Sequence, residues 1–186
     1  MPDPLANIKA TWQALKQVAA ARPPAAPRPP ALPLSVSRPV LGELRGSTDA
    51  LEGSLRLEDA QAALSVARDA DELEPTLAFA EQVVGDFTRL RELGVQAVAD
   101  KFHALYNTDW RMGETMNADG STTPFEHPAL SREAFIARLT LTDVAIAGTS
   151  SATLSFDCGD MFWGHHFTVT SFDGVAFGDP YAQMLG

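Results

Sequence analysis

The amino-acid sequence predicts an α+β protein: an antiparallel sheet with a helical pair packed on one face, preceded by an N-terminal helix on a proline-rich linker. Runs of alternating apolar and polar residues stand at both ends of the segment 40–186, as is typical of half-buried strands. Between them, from about 72 to 106, apolar residues recur every three or four positions and indicate amphipathic helices. Seven prolines within 22–39 predict an extended linker, because proline fixes φ and lacks an amide donor. The predicted order is therefore a helix in 1–21, a linker in 22–39 and a single α+β domain in 40–186.

Composition and charge narrow the classes of partner and compartment. The net charge of −10 disfavours binding to nucleic acid, whose phosphates carry the same sign. No stretch reaches the roughly 18 apolar residues of a membrane span, and the first 21 residues lack the apolar core of a signal peptide. A single cysteine excludes an intrachain disulfide and fits a reducing compartment. We expect a cytoplasmic protein that binds neither nucleic acid nor a membrane.

The predicted N-terminal helix has an apolar stripe that needs a partner surface. The stripe consists of Leu5, Ile8, Trp12, Leu15 and Val18. A lone helix of this length is marginal in water, so the stripe must dock on this chain or on another. The linker is long enough to reach a neighbouring chain, which favours a homodimer formed through the N-terminal helix.

The first part of the domain segment reads as a hairpin. Residues 54–57 and 62–67 alternate apolar with polar or small residues, and two acidic residues separate the runs. The alanines leave a helix over 59–68 as a competing interpretation.

Two helices follow the hairpin. Asp71 offers an N-cap, with Glu74 three residues on, for a helix that continues to about Leu90. We expect Gly94 to break or bend the helical run, and a second helix to end near Tyr106.

The remainder is predicted to be a long irregular loop, a short helix and strands. Glycines, asparagine and prolines punctuate 111–129, and Ser131 can cap a short helix that runs to Leu139. Turns at Gly148-Thr149 and Asp173-Gly174 separate strands. The predicted strands are about 141–147, 152–157, 165–172 and 174–178.

The segment 157–166 has the densest set of polar and aromatic residues and is the first candidate for a metal site. Histidine and aspartate are suitable ligands, but adjacent residues of a strand point to opposite faces, so His165 and His166 cannot chelate one ion. We therefore predict no metal. His165 shares a face with Phe167 and Val169, so it is expected to be a buried structural residue with at least one ring nitrogen hydrogen-bonded.

Other chemistry in this segment is limited. A hairpin of 152–157 with 165–170 would bring Asp157 opposite His166, close enough to pair. Cys158 is disfavoured as a nucleophile because Asp157 and Asp160 would raise the pKa of its thiol. The sequence has no glycine-rich phosphate loop, no G-x-S-x-G and no H-E-x-x-H, and it predicts no catalytic set and no cofactor.

Two tryptophans are candidates for an interaction surface. Trp110 follows the second helix, and Trp163 lies in the loop before His165, where Gly164 suggests a turn or bulge. An exposed tryptophan in a loop would anchor an interface, whereas a tryptophan that covers the end of a sheet would be structural. With Asp157, Asp160 and His166, they are the interaction candidates.

The segment from about 39 to the C-terminus resembles an uncharacterised bacterial family of unknown function, over roughly 80% of the chain. The matching pieces are Leu41-Gly42-Glu43-Leu44, Tyr106-Asn107-Thr108-Asp109-Trp110, Ser131-Arg132-Glu133-Ala134-Phe135, Met161-Phe162-Trp163-Gly164-His165 and Gly186. The Phe-Trp-Gly-His piece is the most specific. Some similar families occur beside secreted toxins and are suspected immunity proteins, so the resemblance implies a protein partner.

Two functions follow as hypotheses. The first is a non-catalytic protein-binding module, an immunity-like protein that masks a basic toxin. The second is a small hydrolase-like enzyme that uses His166 with Asp157 or Asp160. An enzyme needs a concave pocket around these groups, whereas a binding module can present a flat patch.

Overall fold

The structure, a computed structural model, describes residues 33–56 and 61–186. The strands are β1 Pro33–Arg38, β2 Gly42–Ser47, β3 Ala50–Arg56, β4 Gln61–Ala67, β5 Met112–Met116, β6 Thr122–Glu126, β7 Thr140–Ala147, β8 Ser151–Asp157, β9 His166–Ser171 and β10 Tyr181–Leu185. Eight of them form one sheet in the order β1-β2-β3-β4-β7-β8-β9-β10, and β5 and β6 form a separate two-stranded ribbon. The predicted α+β class is confirmed in this broad form.

Two helices cover one face of the sheet. Helix α1 spans Leu73–Gly85 and helix α2 spans Phe87–Leu105, and each buries an apolar stripe on the strands. Successive side chains of a strand point to opposite faces of the sheet. Every second side chain of the central strands therefore packs against the two helices and is fully buried. The inward residues of the central strands include Leu64, Val66, Val144, Ile146, Leu154, Phe156, Phe167 and Val169.

The helix boundaries differ from the sequence prediction. The break falls at Asp86, and Gly94 lies inside α2, where its missing side chain lets the helix approach Leu154 and Phe156. Asp71 does not cap α1. Its carboxylate instead accepts hydrogen bonds from the backbone N–H (2.8 Å) and hydroxyl (3.0 Å) of Thr149, in the turn between β7 and β8.

The N-terminal boundary of the sheet also differs. Residues 33–38 belong to the predicted linker, but they form β1, paired antiparallel to β2. The edge position explains why a strand tolerates Pro33, because its missing N–H removes no bond from the interior of the sheet. The predicted helix in 1–21 and the rest of the linker lie outside the described residues.

The first hairpin is confirmed, and the competing helix over 59–68 is wrong, since β3 and β4 pair antiparallel over their full lengths. The sheet is not purely antiparallel, however. Strand β4 pairs parallel with β7, because both helices lie in the connection between them and return the chain to the same end of the sheet.

The predicted irregular loop over 111–129 contains the ribbon β5–β6. Its turn is closed by two backbone bonds, from Asn117 N–H to Ser121 C=O (2.8 Å) and from Gly120 N–H to Asn117 C=O (3.0 Å). The predicted cap is confirmed: the Ser131 hydroxyl accepts from Ala134 N–H at the start of helix α3, Arg132–Ile136.

The last strand begins later in the chain than the predicted strand at 174–178. Residues 174–176 form a 3-10 turn, followed by Phe177 in the left-handed backbone region with φ 51°. The Asp173 carboxylate holds this turn by accepting from the N–H groups of Phe177 and Gly178 and from the Ser171 hydroxyl. The last strand, β10, therefore begins only at Tyr181 and pairs with β9.

Within the described residues, none of the helices combines the length and the apolar character needed to cross a membrane.

Candidate protein-interaction corner

The corner begins where α2 ends. Tyr106–Trp110 form a π-helical turn, closed by a bond from Arg111 N–H to the Tyr106 carbonyl (3.1 Å). The wider turn redirects the chain and leaves Trp110 half-buried beside the 158–165 loop.

Asn107 locks this turn to the following chain. Its side-chain amide donates to the Leu130 carbonyl (2.9 Å), and its side-chain oxygen accepts from Leu130 N–H (2.9 Å). The Nε2 atom of His103 lies 2.8 Å from the same carbonyl oxygen. These contacts hold the π-helical turn, after which the ribbon begins, against Leu130.

Trp163 is an exposed aromatic residue in the connection between β8 and β9. It follows the 3-10 turn Gly159–Phe162 and adopts a left-handed backbone with φ 52°, a conformation that a bulky residue rarely takes. Gly164 follows with φ 90°, as the predicted turn requires. Trp163 is nevertheless 56% exposed, so the backbone strain serves to present its indole rather than to bury it.

Two aromatic rings pack against Trp163. Its indole lies 5.1 Å from that of Trp110, at an interplanar angle of 54°, and 6.3 Å from the ring of Phe125 in β6. A Cβ atom on Gly113 would come within 2.9 Å of the Trp163 ring. The backbone of the ribbon therefore packs closely against the tryptophan at Gly113. We call Trp110, Phe125, Trp163 and His165 the aromatic corner.

The ribbon is tied to the body at its base by Arg111. The Arg111 guanidinium donates to the carbonyls of Asn107 (2.9 Å) and His127 (3.2 Å) and pairs with the Glu126 carboxylate. The ribbon face opposite Trp163 exposes Met112 and Met116, by 42% and 77%. The ribbon thus presents apolar groups on both of its faces.

His165 lies in the turn before β9 and not in the strand itself. Strand β9 begins one residue later, and His165 is only half-buried, with its ring edge-on to Trp110 at 5.3 Å. Within 33–56 and 61–186, its buried Nδ1 atom has no hydrogen-bond partner. His165 is thus less buried than the core residues Phe167 and Val169, because a residue in the turn before the strand does not follow the alternation of the strand, and its structural role stays a prediction.

The polar candidates lie in two places, on the outer face of the sheet and in the 3-10 turn before Trp163. Asp157 does lie opposite His166 across β8 and β9, and both are exposed on the sheet face away from the helices. Asp160 is exposed in the 3-10 turn. No hydrogen bond or ion pair joins His166 to either carboxylate within residues 33–56 and 61–186.

The position of Cys158 is also unfavourable for a nucleophile. Burial raises the pKa of the Cys158 thiol to about 11, with a further contribution from the negative charge of Asp157. The thiol donates to the His165 carbonyl (3.0 Å) and is 2% exposed. The sequence-based expectation of a raised pKa is correct, but burial is the larger cause.

A cavity of about 400 Å³ opens elsewhere, between α2 and residues 177–182. None of Asp157, Asp160, His165 or His166 lines it. Nor do the described histidine, cysteine and acidic side chains anywhere form a group of three that could hold a metal ion. The arrangement of the corner suits contact with another surface better than enclosure of a small substrate.

The surroundings of the corner are acidic. Between 106 and 127 the chain carries four carboxylates, Asp109, Glu114, Asp119 and Glu126, against one arginine, which is already paired with Glu126. Asp160 adds a further carboxylate three residues before Trp163. The negative charge of these segments would attract a cationic surface.

The roles of Phe125, Gly113 and Asn107 in the corner do not follow from the residue patterns of the sequence. The Asp119-Gly120 pair is a known hairpin-turn signal and could have revealed the ribbon. Nothing local marks Gly113 or Phe125 as neighbours of Trp163, because that contact joins segments about 40–50 residues apart in the chain.

The comparisons with known proteins agree with the resemblance at the level of an uncharacterised family. No curated protein and no solved structure matches the chain significantly. A bacterial family, described as an uncharacterized protein conserved in bacteria (DUF2262), matches residues 38–173, which include the whole aromatic corner. The chain therefore belongs to the DUF2262 family of proteins conserved in bacteria.

Proposed function

We propose that this chain is a non-catalytic protein-binding module that contacts a basic partner through the aromatic corner. One observation carries the proposal: Trp163 is held by a left-handed backbone in a position that leaves 56% of it exposed. Tryptophan is the residue type most often found to dominate binding energy at protein interfaces.

The ribbon extends this contact surface. Met112 and Met116 are exposed on the ribbon face opposite Trp163, so a partner can reach this face as well as the exposed indole. Methionine side chains adapt to irregular surfaces, which suits contact with another protein.

Charge selects the partner. The ribbon and the 3-10 turn, which contribute residues to the corner or lead into it, carry carboxylates, and the whole chain carries a net charge of −10. Opposite charge speeds encounter and disfavours acidic competitors. An immunity-like role, in which the chain masks a basic toxin, combines these features with the kind of partner implied by the family resemblance.

The test uses the basic proteins encoded next to this gene as probes. Calorimetry should detect binding of one of them to the full chain, and Trp163→Ala should weaken it by at least about 2 kcal/mol, or roughly 30-fold. Phe172→Ala is the matched control, since Phe172 is 72% exposed but lies outside the corner. Equal binding by the Trp163→Ala and wild-type chains would rule out the corner as the contact surface.

The same pair of proteins tests the immunity role. Co-expression of the chain should protect cells from growth inhibition by the basic protein, and Trp163→Ala should remove that protection. Protection that survives Trp163→Ala but is lost in His166→Ala would favour the hydrolase-like alternative.

A further inference from the structure

Strand β10 forms one edge of the eight-stranded sheet and pairs with β9 alone among the described strands. Its sequence, Tyr-Ala-Gln-Met-Leu, contains no charged residue. Edge strands of monomeric proteins are usually protected by charged side chains, prolines, bulges or a covering element, because their free N–H and C=O groups can pair with another strand. β10 has none of these within its own sequence.

The only protection of the edge among the described residues comes from helix α2. The Lys101 ammonium donates to the Ala182 carbonyl (2.7 Å) and lies over the Tyr181 ring, 4.8 Å from its centroid. This bond identifies Ala182 as a residue whose carbonyl points away from β9. Since ladder groups alternate along a strand, the N–H and C=O of Met184 point the same way.

The side chains around this edge are apolar as well. Tyr181 is 52% exposed and Leu185 is 42% exposed, and they alternate along the strand with the buried Ala182 and the half-buried Met184, with the exposed Gln183 between them. The edge therefore offers unpaired backbone groups and exposed apolar side chains together.

We propose that β10 pairs antiparallel with β10 of a second copy of this chain, around a twofold axis at Gln183. In that register Ala182 and Met184 of each copy exchange backbone hydrogen bonds with Met184 and Ala182 of the other. Gln183 faces Gln183 of the second copy, and each Tyr181 faces Leu185 of the second copy. Aromatic–aliphatic pairs of this kind stabilise antiparallel strands.

Charge favours a second copy at this edge. Two chains that each carry −10 repel each other, so a contact between copies requires a surface without acidic residues. β10 itself carries no carboxylate, Lys101 lies beside it together with Asp100 and Asp179 at the cavity, and the strand is self-complementary about its central residue. A partner with a basic strand would gain nothing from a strand that carries no carboxylate.

Lys101 must leave the Ala182 carbonyl for the two strands to pair. The cavity of about 400 Å³ between α2 and residues 177–182 is lined by Lys101 itself, so the displaced side chain has room beside the edge. Lys101 thus competes with the second copy for one carbonyl group.

The test is the mass of the full-length chain in solution, by light scattering across a range of concentrations. We expect a dimer for the wild type, a monomer for Gln183→Lys, which places two like charges opposite each other, and a tighter dimer for Lys101→Met. Thermal melting checks that each variant is folded. A wild-type chain that is monomeric at every concentration would overturn the proposal.

A cysteine variant tests the register directly. In Gln183→Cys, the two thiols would face each other at a non-hydrogen-bonded pair, about 4.5 Å apart between Cα atoms, which suits a disulfide. Mild oxidation should give a covalent dimer, whereas Thr142→Cys, exposed on β7 in the same sheet, should not. Equal cross-linking of both variants would overturn the proposed register.

Trp12→Glu separates this dimer from one formed through the N-terminal helix. The β10 dimer should survive Trp12→Glu. A dimer that is lost in Trp12→Glu and retained in Gln183→Lys would assign the interface to the N-terminal segment and overturn the pairing of β10.

Discussion

The ring of His165 stands edge-on to the indole of Trp110, with centroids 5.3 Å apart and planes at 88°. Among the described residues, Nδ1 of His165 is buried without a hydrogen-bond partner. A Cβ on Gly186 would come within 2.5 Å of this nitrogen, so the backbone there packs directly on the ring. The packing excludes water from Nδ1 and leaves the atom unpaired.

The first prediction follows from this unpaired atom. His165→Phe keeps an aromatic edge against Trp110 and removes the buried polar nitrogen, so it should raise the free energy of unfolding by about 1 kcal/mol. Urea denaturation measures the change, with His166→Phe, at the exposed neighbouring position, as the control. A loss of stability in His165→Phe would mean that Nδ1 has a partner in solution.

A second prediction concerns the contact of α2 with the sheet. A Cβ at Gly94 would lie 3.1 Å from Phe156 and 3.2 Å from Leu154, both fully buried. Gly94→Ala should therefore lower the free energy of unfolding by about 1–2 kcal/mol, because overpacking outweighs the gain in helix propensity.

Gly85→Ala is the matched control for Gly94, since a Cβ there meets nothing within 4 Å. It should raise stability by about 0.5 kcal/mol through the helix propensity of alanine. Equal effects of the two substitutions in denaturation experiments would contradict the close approach of α2 to β8.

The third prediction concerns acid stability. Hydrogen bonds from the Ser171 hydroxyl and from the N–H groups of Gly178 and Phe177 lower the pKa of Asp173 below its ordinary value of 3.8. The stabilising effect of this ionised carboxylate is therefore complete at neutral pH and is lost as the pH falls from 3.8 through the lower folded pKa. Asp173→Ala should lower the melting temperature at pH 7, and the difference from wild type should shrink in acid.

Asp179→Ala provides the comparison for Asp173, because Asp179 is exposed in the same loop and accepts none of these bonds. It should leave the melting temperature nearly unchanged at both pH values. A pH-independent effect of Asp173→Ala would show that the carboxylate acts only through packing.

The fourth prediction concerns Cys158. With a pKa of about 11, about one thiol in a thousand is ionised at pH 8, and burial keeps reagents away from the sulfur. Ellman's reagent should modify the thiol only as fast as the protein opens. Rapid modification of the native chain at one thiol per molecule would contradict the buried position of Cys158.

Local patterns in the sequence determined the elements whose stability is itself local. The hairpin of β3 and β4, the paired helices, the Ser131 cap and the turn at Gly148-Thr149 all follow from residue spacing and side-chain chemistry within a few positions. The opposition of Asp157 and His166 was also predictable, since it depends only on the register of one hairpin.

Tertiary structure decided the rest, because those features depend on contacts between distant segments. Residues 33–38 become a strand by pairing with β2, and Gly94 stays helical because α2 packs closely on Leu154 and Phe156. Asp71 binds the distant Thr149 instead of capping its own helix. The meeting of Trp163 with Trp110 and with Gly113 of the ribbon likewise joins segments about 50 residues apart, and no pattern within one segment carries that information.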